Sequence, residues 1–460
     1  MANAAKLRQV EVGIVGLNPC GRTLARILTE HGVGVAAFDR DPQNIKALAR
    51  NRCAKSVHLA ATVKEMMAQL GHFRTVFLTC SDPDVDSFGE VVEQLEAEDL
   101  LIDAGYCHFK ECEQRARRLR ERNIRHLAVG VIGVGEEDEA DPVLMAGGRQ
   151  EIFLSARPFL ESLAEIGHGQ LYLGYLGHVA AGHFVKTIHD GIDHALRQLA
   201  RETLALLKET LELDSSALRD AAAAWPMTVN NSSERVNAAR WTTQAAEELN
   251  SPAPAIAASA GLRALSEFDR QNELARTPFR QPRGHYGDDA ESVIAELHGG
   301  LNAAVMITYA QGMAVLTAGS QRYGLNLNMA EVLRLWKGCC GKRAGLLDEM
   351  GLVLESMPCL PNLLLEDDWS EKVMGCQEFL RHAVWRAGPL RVAVPVMTAA
   401  LDYLDSFRGA WLPVNLIQAQ PRRPRSGSHA LGALPAIDQE QHGHPHRQTI
   451  RHLVDDDRAA

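Results

Sequence analysis

The chain has 460 residues, which is too long for one hydrophobic core and indicates two or three domains. Its formal net charge of −10 argues against non-specific binding to nucleic acid, although a local basic pocket could still hold an anionic substrate. The N-terminus lacks the apolar core and cleavage site of a signal peptide, and no apolar run approaches the length of a membrane span. We therefore expect a cytoplasmic globular protein that binds no membrane.

The nine cysteines follow no regular spacing, so they predict neither a disulfide framework nor a metal site. Two pairs lie close together in the sequence, Cys339 with Cys340 and Cys107 with Cys112. Both pairs are expected to be plain buried thiols in a reducing compartment.

The N-terminal segment predicts a nucleotide-binding unit. A β-branched run over 10–15 leads into a turn, a helical pattern and a second strand over 33–38. The turn reads Gly16, Leu17, Asn18, Pro19, Cys20 and Gly21. Strand, glycine turn, helix and strand are typical of dinucleotide binding, because the N–H groups at the start of the helix accept a pyrophosphate. Asn18 replaces the middle glycine; it tolerates positive φ, but its side chain crowds the phosphates. A tight turn without a nucleotide is the alternative.

The end of the second strand leaves the cofactor open between NADP and NAD. Asp39 would accept the adenosine ribose hydroxyls, which favours NAD. Arg40 would pair with a 2′-phosphate, which favours NADP, while Asp39 and Asp41 would repel that phosphate.

Further strands over 75–79, 100–103 and 126–131 alternate with helical patterns. This alternation predicts a parallel, doubly wound sheet whose ligand lies at the carboxyl ends of the strands. Cys80 and Tyr106 follow two of these strands, so we assign both to the cofactor, with the nicotinamide ring near Tyr106.

From residue 182 onward the strand pattern stops and helical periodicity dominates. The predicted helical segments are 183–212, roughly 255–275, 290–323, 329–350 and 370–410. From residue 421 the composition changes to that of an extended tail, and we expect its His442, His444 and His446 to be solvated rather than bound to metal. The chain is thus predicted to comprise a Rossmann-type α/β domain over 1–181, a large all-α domain over 182–420 and a tail over 421–460.

One helix of the second domain gathers chemistry on a single face. At about 100° per residue, Lys186, His189, Asp190 and Asp193 point the same way, opposite an apolar face. An amine, an imidazole and two carboxylates would then meet at one point. The alternative is a surface helix with Lys186–Asp190 and His189–Asp193 pairs, each worth a few tenths of a kcal/mol.

Several blocks of sequence, in matching order, resemble the decarboxylating 6-phosphogluconate dehydrogenases from residue 14 to about residue 429. The blocks are 102–105 with 108–110, 144–148, 182–192, 307–312, 335–338, 361–365 and 416–420. The resemblance implies a Rossmann domain, a large helical dimerisation domain and a tail that threads into the partner of a homodimer.

The reaction that the resemblance implies is oxidation of a 3-hydroxyl by NADP, followed by loss of the C1 carboxylate as CO2. Lys186 would take the hydroxyl proton and then act as an acid on the 3-keto intermediate, and His189 would help to hold the substrate. Asp193 occupies the position of the family's glutamate, the acid that protonates the enediol.

The sequence departs from the family pattern around this face. Asp193 is one methylene shorter than glutamate, Asp190 replaces a substrate-binding asparagine, His194 replaces a tyrosine, and Tyr106 replaces an asparagine near the nicotinamide. The substrate phosphate or carboxylate is assigned to three residues, Arg276, Arg423 and His429.

Two hypotheses follow from this pattern. The first is an NAD(P)-dependent oxidoreductase that acts on 6-phosphogluconate or a related β-hydroxy acid. The second is a non-catalytic or regulatory relative that keeps the dimeric scaffold.

Overall fold

The computed structural model describes residues 10–50, 52–80, 87–134, 142–164, 166–167, 169–214, 216–218, 236–266 and 289–409. The chain divides into two units, residues 1–400 and residues 401–460. Of the second unit, the structure describes residues 401–409. The predicted roles of Arg276, Arg423, His429 and the histidine-rich tail lie outside the described residues. The domain boundaries drawn from the sequence stay predictions.

An eight-stranded sheet forms the centre of the N-terminal region. Its strands are β1 (Val10–Val15), β2 (Gly34–Phe38), β3 (Val57–Leu59), β4 (Thr75–Leu78), β5 (Leu100–Asp103), β6 (Arg125–Ile132), β7 (Val143–Gly148) and β10 (Leu173–Tyr175), and β8 (Ile166–Gly167) pairs separately with β9 (Gln170–Leu171). The order across the large sheet is β10-β7-β6-β5-β4-β1-β2-β3. The α/β fold predicted from the sequence is confirmed.

The strands predicted from the sequence, β1, β2, β4, β5 and β6, pair parallel as expected. The sheet also contains one antiparallel pair, between β6 and β7. Strands β3, β7 and β10 were not predicted. β7 ends in Gly147 and Gly148, a residue type depleted in strands, so its pattern is weak.

Successive side chains of the central strands are buried on opposite faces of this sheet. Ile14 and Phe77 belong to one apolar cluster, whereas Val15 and Val76 belong to the other. Helices must therefore cover both faces, as expected for a doubly wound sheet.

The helices divide into six around the sheet and eight that follow it in the described parts of the chain. The first group is α1 (Pro19–Glu30), α2 (Pro42–Ala49), α3 (Val63–Ala68), α4 (Ser87–Gln94), α5 (Phe109–Glu121) and α6 (Gln150–Glu161). The second group is α7 (Ala181–Leu211), α8 (Val236–Glu248), α9 (Pro254–Ser266), α10 (Ala290–Arg322), α11 (Met329–Trp336), α12 (Ala344–Ser356), α13 (Asp367–Leu390) and α14 (Pro395–Arg408).

Two of the helical predictions need correction, and one helix was missed. The predicted helix over 329–350 is two helices, interrupted between Trp336 and Ala344, where Gly338 and Gly341 lower helix propensity. The predicted helix over 370–410 is also two, because Pro395 begins a new helix. Helix α8 was not predicted at all.

The long helices α7 and α10 pack closely along the helical region. A Cβ added at Gly312 of α10 would lie 2.3 Å from the Ile192 side chain, and one at Gly319 would lie 2.3 Å from Phe184. Helix α10 is long and apolar enough to cross a membrane, so the expectation that no run reaches that length is wrong for it. Its most apolar window is 89% buried inside the protein, as for a core helix.

Glycines bring the start of α7 into backbone contact with the sheet. A Cβ at Gly182 would lie 2.1 Å from the Met145 carbonyl oxygen on β7. A Cβ at Gly130 on β6 would lie 2.2 Å from the Gly182 carbonyl oxygen. No side chain fits between these backbones, so the next turn of α7, with Lys186, is held against β6.

Candidate active site

Helix α7 is buried on its polar face as well as on its apolar face. The side chain of Lys186 is 15% exposed and that of Asp190 is 3% exposed, while Ile188 on the apolar face is fully buried. The hypothesis of a surface helix is therefore wrong. Buried charged groups need partners, so their contacts define what this face can do.

Lys186 lies at the carboxyl end of β6. Its Nζ donates to the Val131 carbonyl oxygen at 2.8 Å and to Asp190 Oδ2 at 3.0 Å. The same nitrogen lies 5.2 Å from the ring centre of Tyr106, which stacks on Trp241 at 4.9 Å. The structure thus brings the predicted base next to the residue predicted to face the nicotinamide.

Asp190 joins Lys186 to His189. Its second oxygen, Oδ1, lies 2.9 Å from His189 Nδ1. Burial acts against the charged imidazolium, but hydrogen bonds to Asp190 and Cys340 outweigh burial and raise the pKa of His189 to about 9. The Lys186–Asp190 pair predicted from the sequence is present. The predicted His189–Asp193 pair is not formed through Nδ1, since His189 Nδ1 contacts Asp190 instead.

Asp193 is held between two guanidinium groups. Arg197 Nε donates to Asp193 Oδ2 at 2.8 Å, and Arg343 Nη2 donates to Oδ1 at 3.1 Å. Two positive charges at this distance favour the ionised carboxylate. The carboxyl predicted to act as an acid is thus part of a buried ion cluster.

His194, the next residue along α7, contacts helix α9. Its Nδ1 lies 3.0 Å from Ser259 Oγ on α9. Its predicted contact with the substrate stays a prediction.

Three residues that the sequence analysis did not assign complete the site: Cys339, Cys340 and Arg343. They lie in the interruption between α11 and α12, where both thiols face His189 Nε2, at 3.5 Å and 3.6 Å. A hydrogen bond from Cys339, opposed by burial and helped by Arg343 and His189, lowers the pKa of Cys340 well below its ordinary value. Gly338 and Gly341 around the adjacent cysteines were the signal that this segment is not helical.

The glycine turn after β1 has the close backbone packing that a dinucleotide site needs. Gly16 adopts a φ of +104°, and a Cβ at Gly21 would lie 2.0 Å from the Gly16 carbonyl oxygen. Leu17 and Cys20 of the same turn are buried in the core. The turn therefore fits a pyrophosphate, because the two glycines have no side chain that would keep the phosphates away from the backbone N–H groups at the start of α1.

Asn18 keeps this turn in place without adopting a positive φ. Its φ is −59°, its Oδ1 accepts from the Gly21 N–H at 3.0 Å, and its Nδ2 donates to the Thr79 carbonyl oxygen at 2.6 Å. Asn18 is therefore the N-cap of α1, which satisfies one donor that a phosphate would otherwise bind.

Asp39 and Arg40, predicted to bind the adenosine end, follow β2, and Cys80, assigned to the cofactor, follows β4. Asp39 Oδ2 accepts from the Leu17 N–H at 2.5 Å, and Arg40 forms an ion pair with Glu90 of α4. Burial raises the pKa of Cys80 to about 11, which keeps it a neutral thiol beside the Val15 carbonyl oxygen. The Arg40–Glu90 pair is half-exposed, so a competing 2′-phosphate would displace it at little cost.

Two family models match this chain. Residues 11–177 match the NAD binding domain of 6-phosphogluconate dehydrogenase, and residues 227–444 match the 6-phosphogluconate dehydrogenase C-terminal domain. The second match includes Arg276, Arg423 and His429.

Curated relatives match over almost the whole chain. A decarboxylating 6-phosphogluconate dehydrogenase of Synechococcus elongatus is 30% identical, over 91% of this chain and 96% of the relative. The corresponding protein of Synechocystis sp. is 29% identical, over 93% and 95%. A Bacillus subtilis relative named as NADP(+)-dependent is 28% identical, over 91% and 96%.

Among solved structures, the fold is similar to that of Plasmodium falciparum 6-phosphogluconate dehydrogenase. The TM-score is 0.75, with 24% identity, and the match covers 89% of this chain and 95% of the other. At this identity the similarity concerns the fold.

Proposed function

Because this chain belongs to the 6-phosphogluconate dehydrogenase family, we propose that it oxidises 6-phosphogluconate with NADP and releases CO2. The observation that carries the proposal is the position of Lys186, whose amine lies between the Val131 carbonyl, the Asp190 carboxylate and the Tyr106 ring. NADP is supported by the glycine turn at Gly16 and by the NADP(+)-dependent relative.

The bound nicotinamide supplies a hydride acceptor for C3 of the substrate. Lys186 takes the proton of the 3-hydroxyl as the hydride leaves, then returns a proton to the 3-keto oxygen while the C1 carboxylate departs as CO2. Asp190 holds both Lys186 and His189, so the amine and the imidazole keep a fixed orientation during these steps. The burial of this face excludes water, which strengthens each of these interactions.

The resulting enediol needs a proton at C1, and by family resemblance Asp193 supplies it. To donate this proton, Asp193 must first be protonated. Arg197 and Arg343, which contact it, favour its ionised carboxylate instead. His189, Asp190 and His194 are proposed to face the substrate. Arg276, Arg423 and His429 are proposed to bind its phosphate, which the match over 227–444 supports.

We further propose a cytoplasmic homodimer in which the tail over 421–460 reaches the partner subunit. Family membership supports this arrangement. Two measurements on the full chain and on a chain ending at residue 420 test it. Sedimentation is expected to show that the full chain is dimeric, and steady-state kinetics are expected to show that loss of the tail reduces activity.

The reaction is tested with purified protein, 6-phosphogluconate and either NADP or NAD, by following the absorbance of the reduced cofactor together with CO2 release. We expect reduction of NADP with one CO2 for each cofactor reduced. No reduction of either cofactor at high substrate would favour the non-catalytic hypothesis. Reduction without CO2 would show that 6-phosphogluconate is oxidised but not decarboxylated.

Lys186→Met tests the base. Loss of a positioned general base is expected to lower kcat about 100- to 10,000-fold. Lys208→Met is the matched control, since Lys208 is exposed on the same helix, and it should keep full activity. An activity that survives Lys186→Met would refute the assignment.

A further inference from the structure

A cavity of about 480 Å³ lies at the edge of the sheet opposite the candidate active site. Arg125, at the start of β6, lines it, whereas the Val131 carbonyl that accepts from Lys186 lies near the end of the same strand. A rise of about 3.3 Å per residue separates these two positions by roughly 20 Å. The cavity is therefore separate from the site already described, and its volume is typical of small-molecule sites.

The antiparallel pairing of β7 with β6 creates this cavity. Because of that pairing, β7 ends at Gly148 beside Leu127, near the start of β6. The Gly148 N–H donates to the Gly177 carbonyl oxygen at 2.9 Å, so the chain enters α6 and α7 from neighbouring points. The segments 148–149 and 178–179, which precede these two helices, both line the cavity.

Three arginines from three different elements line the cavity: Arg120 near the end of α5, Arg125 in β6 and Arg149 before α6. Arg125 contacts the Ser155 hydroxyl, and Arg149 pairs with Glu151, with the two side chains 63% and 62% exposed. In the described part of the chain, Arg120 has no side-chain partner. An exposed pair such as Arg149–Glu151 is worth little, so a bound anion can replace Glu151 at little cost.

The charges around the cavity favour a phosphate. Glu98 and Glu151 are the acidic residues of the lining, so the three arginines leave it positive, although the whole chain has a net charge of −10. His178, also in the lining, lies 3.5 Å from Glu113. One guanidinium can satisfy a carboxylate through two parallel hydrogen bonds, whereas several guanidinium groups suit the three terminal oxygens of a phosphate.

His126 forms the buried part of the cavity wall. It is 6% exposed, and neither of its ring nitrogens has a hydrogen-bond partner among the described residues. Burial lowers the pKa of His126 to about 4, against the attraction of Asp103, so near pH 7 the neutral ring offers one donor and one acceptor. Buried polar atoms without partners are costly, so a ligand hydroxyl that pairs with this imidazole would be bound favourably.

We propose that this cavity binds a small phosphorylated molecule that carries hydroxyl groups. Arg120, Arg125 and Arg149 hold its phosphate, and His126 pairs with a hydroxyl. The inference goes beyond the proposed reaction and does not depend on it, because these residues lie at the other edge of the sheet from Lys186.

Isothermal titration calorimetry of the full-length protein with glycerol 3-phosphate tests the site. Binding is expected to weaken about tenfold or more in Arg120→Gln/Arg149→Gln, which removes two charged donors. The matched control is Arg117→Gln/Arg157→Gln, which removes the same charge from exposed positions of α5 and α6 outside the cavity and should keep the affinity. Phosphate bound at the active site contributes equally to both variants, so their difference belongs to the cavity. Equal affinities of the two variants, or no binding to the unsubstituted protein, would overturn the proposal.

A parallel titration with inorganic phosphate separates a phosphorylated ligand from free phosphate. For the binding that Arg120→Gln/Arg149→Gln removes, glycerol 3-phosphate is expected to be the tighter ligand. His126→Phe should abolish that preference, because it keeps an aromatic ring but lacks both nitrogens, and it breaks no hydrogen bond among the described residues. Equal affinity of the unsubstituted protein for the two probes, or a preference that persists in His126→Phe, would refute the predicted contact between His126 and a hydroxyl.

Discussion

Asp190 connects the two halves of the polar face of α7. One carboxylate oxygen accepts from Lys186 and the other faces His189 Nδ1, so a single side chain orients both an amine and an imidazole. The family's asparagine at this position would offer one oxygen and one NH2 group to the same neighbours. The aspartate therefore changes the charge of the site, and its two oxygens contact both Lys186 and His189.

Asp193 holds two arginines in addition to its proposed role as an acid. Its side chain is 11% exposed and holds Arg197 and Arg343. Asp193→Asn is expected to lower the free energy of unfolding by about 3 kcal/mol, because it removes the shared carboxylate of two buried guanidinium groups. Chemical denaturation measures this loss.

The control for Asp193→Asn is Asp348→Asn, which breaks an ion pair with Lys337 in which Asp348 is 56% exposed. The control should change stability by less than about 1 kcal/mol. Unchanged stability of Asp193→Asn would contradict the structural role, and a kcat that does not fall would contradict the proposed role as an acid.

At the scale of elements, the contact between α7 and the sheet depends on a glycine. The Cβ of Gly182→Ala would lie 2.1 Å from the Met145 carbonyl oxygen, so α7 must move away from β7. We expect a loss of about 3 kcal/mol in stability, and a fall in activity because Lys186 moves with the helix. Thermal unfolding and steady-state kinetics measure the two effects.

Gly261→Ala on α9 is the matched control for Gly182→Ala. A Cβ there meets nothing within 4 Å, so this substitution should raise stability by about 0.5–1 kcal/mol through helix propensity. Equal effects of the two substitutions would show that backbone contact with the sheet does not hold α7.

Packing between elements accompanies the break in the helix that the sequence predicted over 329–350. Apolar periodicity continues across 329–350, so the sequence alone indicates one helix. In the structure Gly338 fits against Val143 and Tyr172 of the N-terminal region, which a longer side chain would prevent. That packing accompanies the interruption in which Cys339 and Cys340 face His189.

Glu202 links α7 to the start of α14, and its protonation affects the whole molecule. Burial raises its pKa to about 7, although the N–H groups of Val396 and Met397 favour the carboxylate. The folded pKa lies above the ordinary value of 4.5, so the folded state binds this proton more tightly than the unfolded state. The stabilisation is complete below about pH 4.5 and is lost as the pH rises through about 7.

Glu202→Gln tests this dependence. The stability of the unsubstituted protein relative to the variant is expected to fall by on the order of 3 kcal/mol between pH 4.5 and pH 7.5. Because both proteins share every other titrating group, the difference isolates Glu202. Unfolding curves at several pH values measure it, and a difference that does not change with pH would disprove the assignment.

Much of the architecture followed from the sequence because its signals are local. The β-branched run before Gly16 and the alternation of strands and helices predicted the Rossmann-type sheet, and residue periodicity placed Lys186, His189 and Asp190 on one face of α7. Strand β7 and its antiparallel pairing were missed, since Gly147 and Gly148 weaken the pattern and pairing direction is set by partners distant in the sequence.

The sequence by itself determined the family, the fold class and which polar residues share one face of α7, because these depend on spacing within short segments. Only the tertiary structure decided which charges meet. It paired Asp193 with Arg343 and placed two unremarkable cysteines beside His189, some 150 residues away in the chain. Such contacts arise when separate helices pack, and burial makes their partners obligatory, because a buried charge without a partner is too costly to keep.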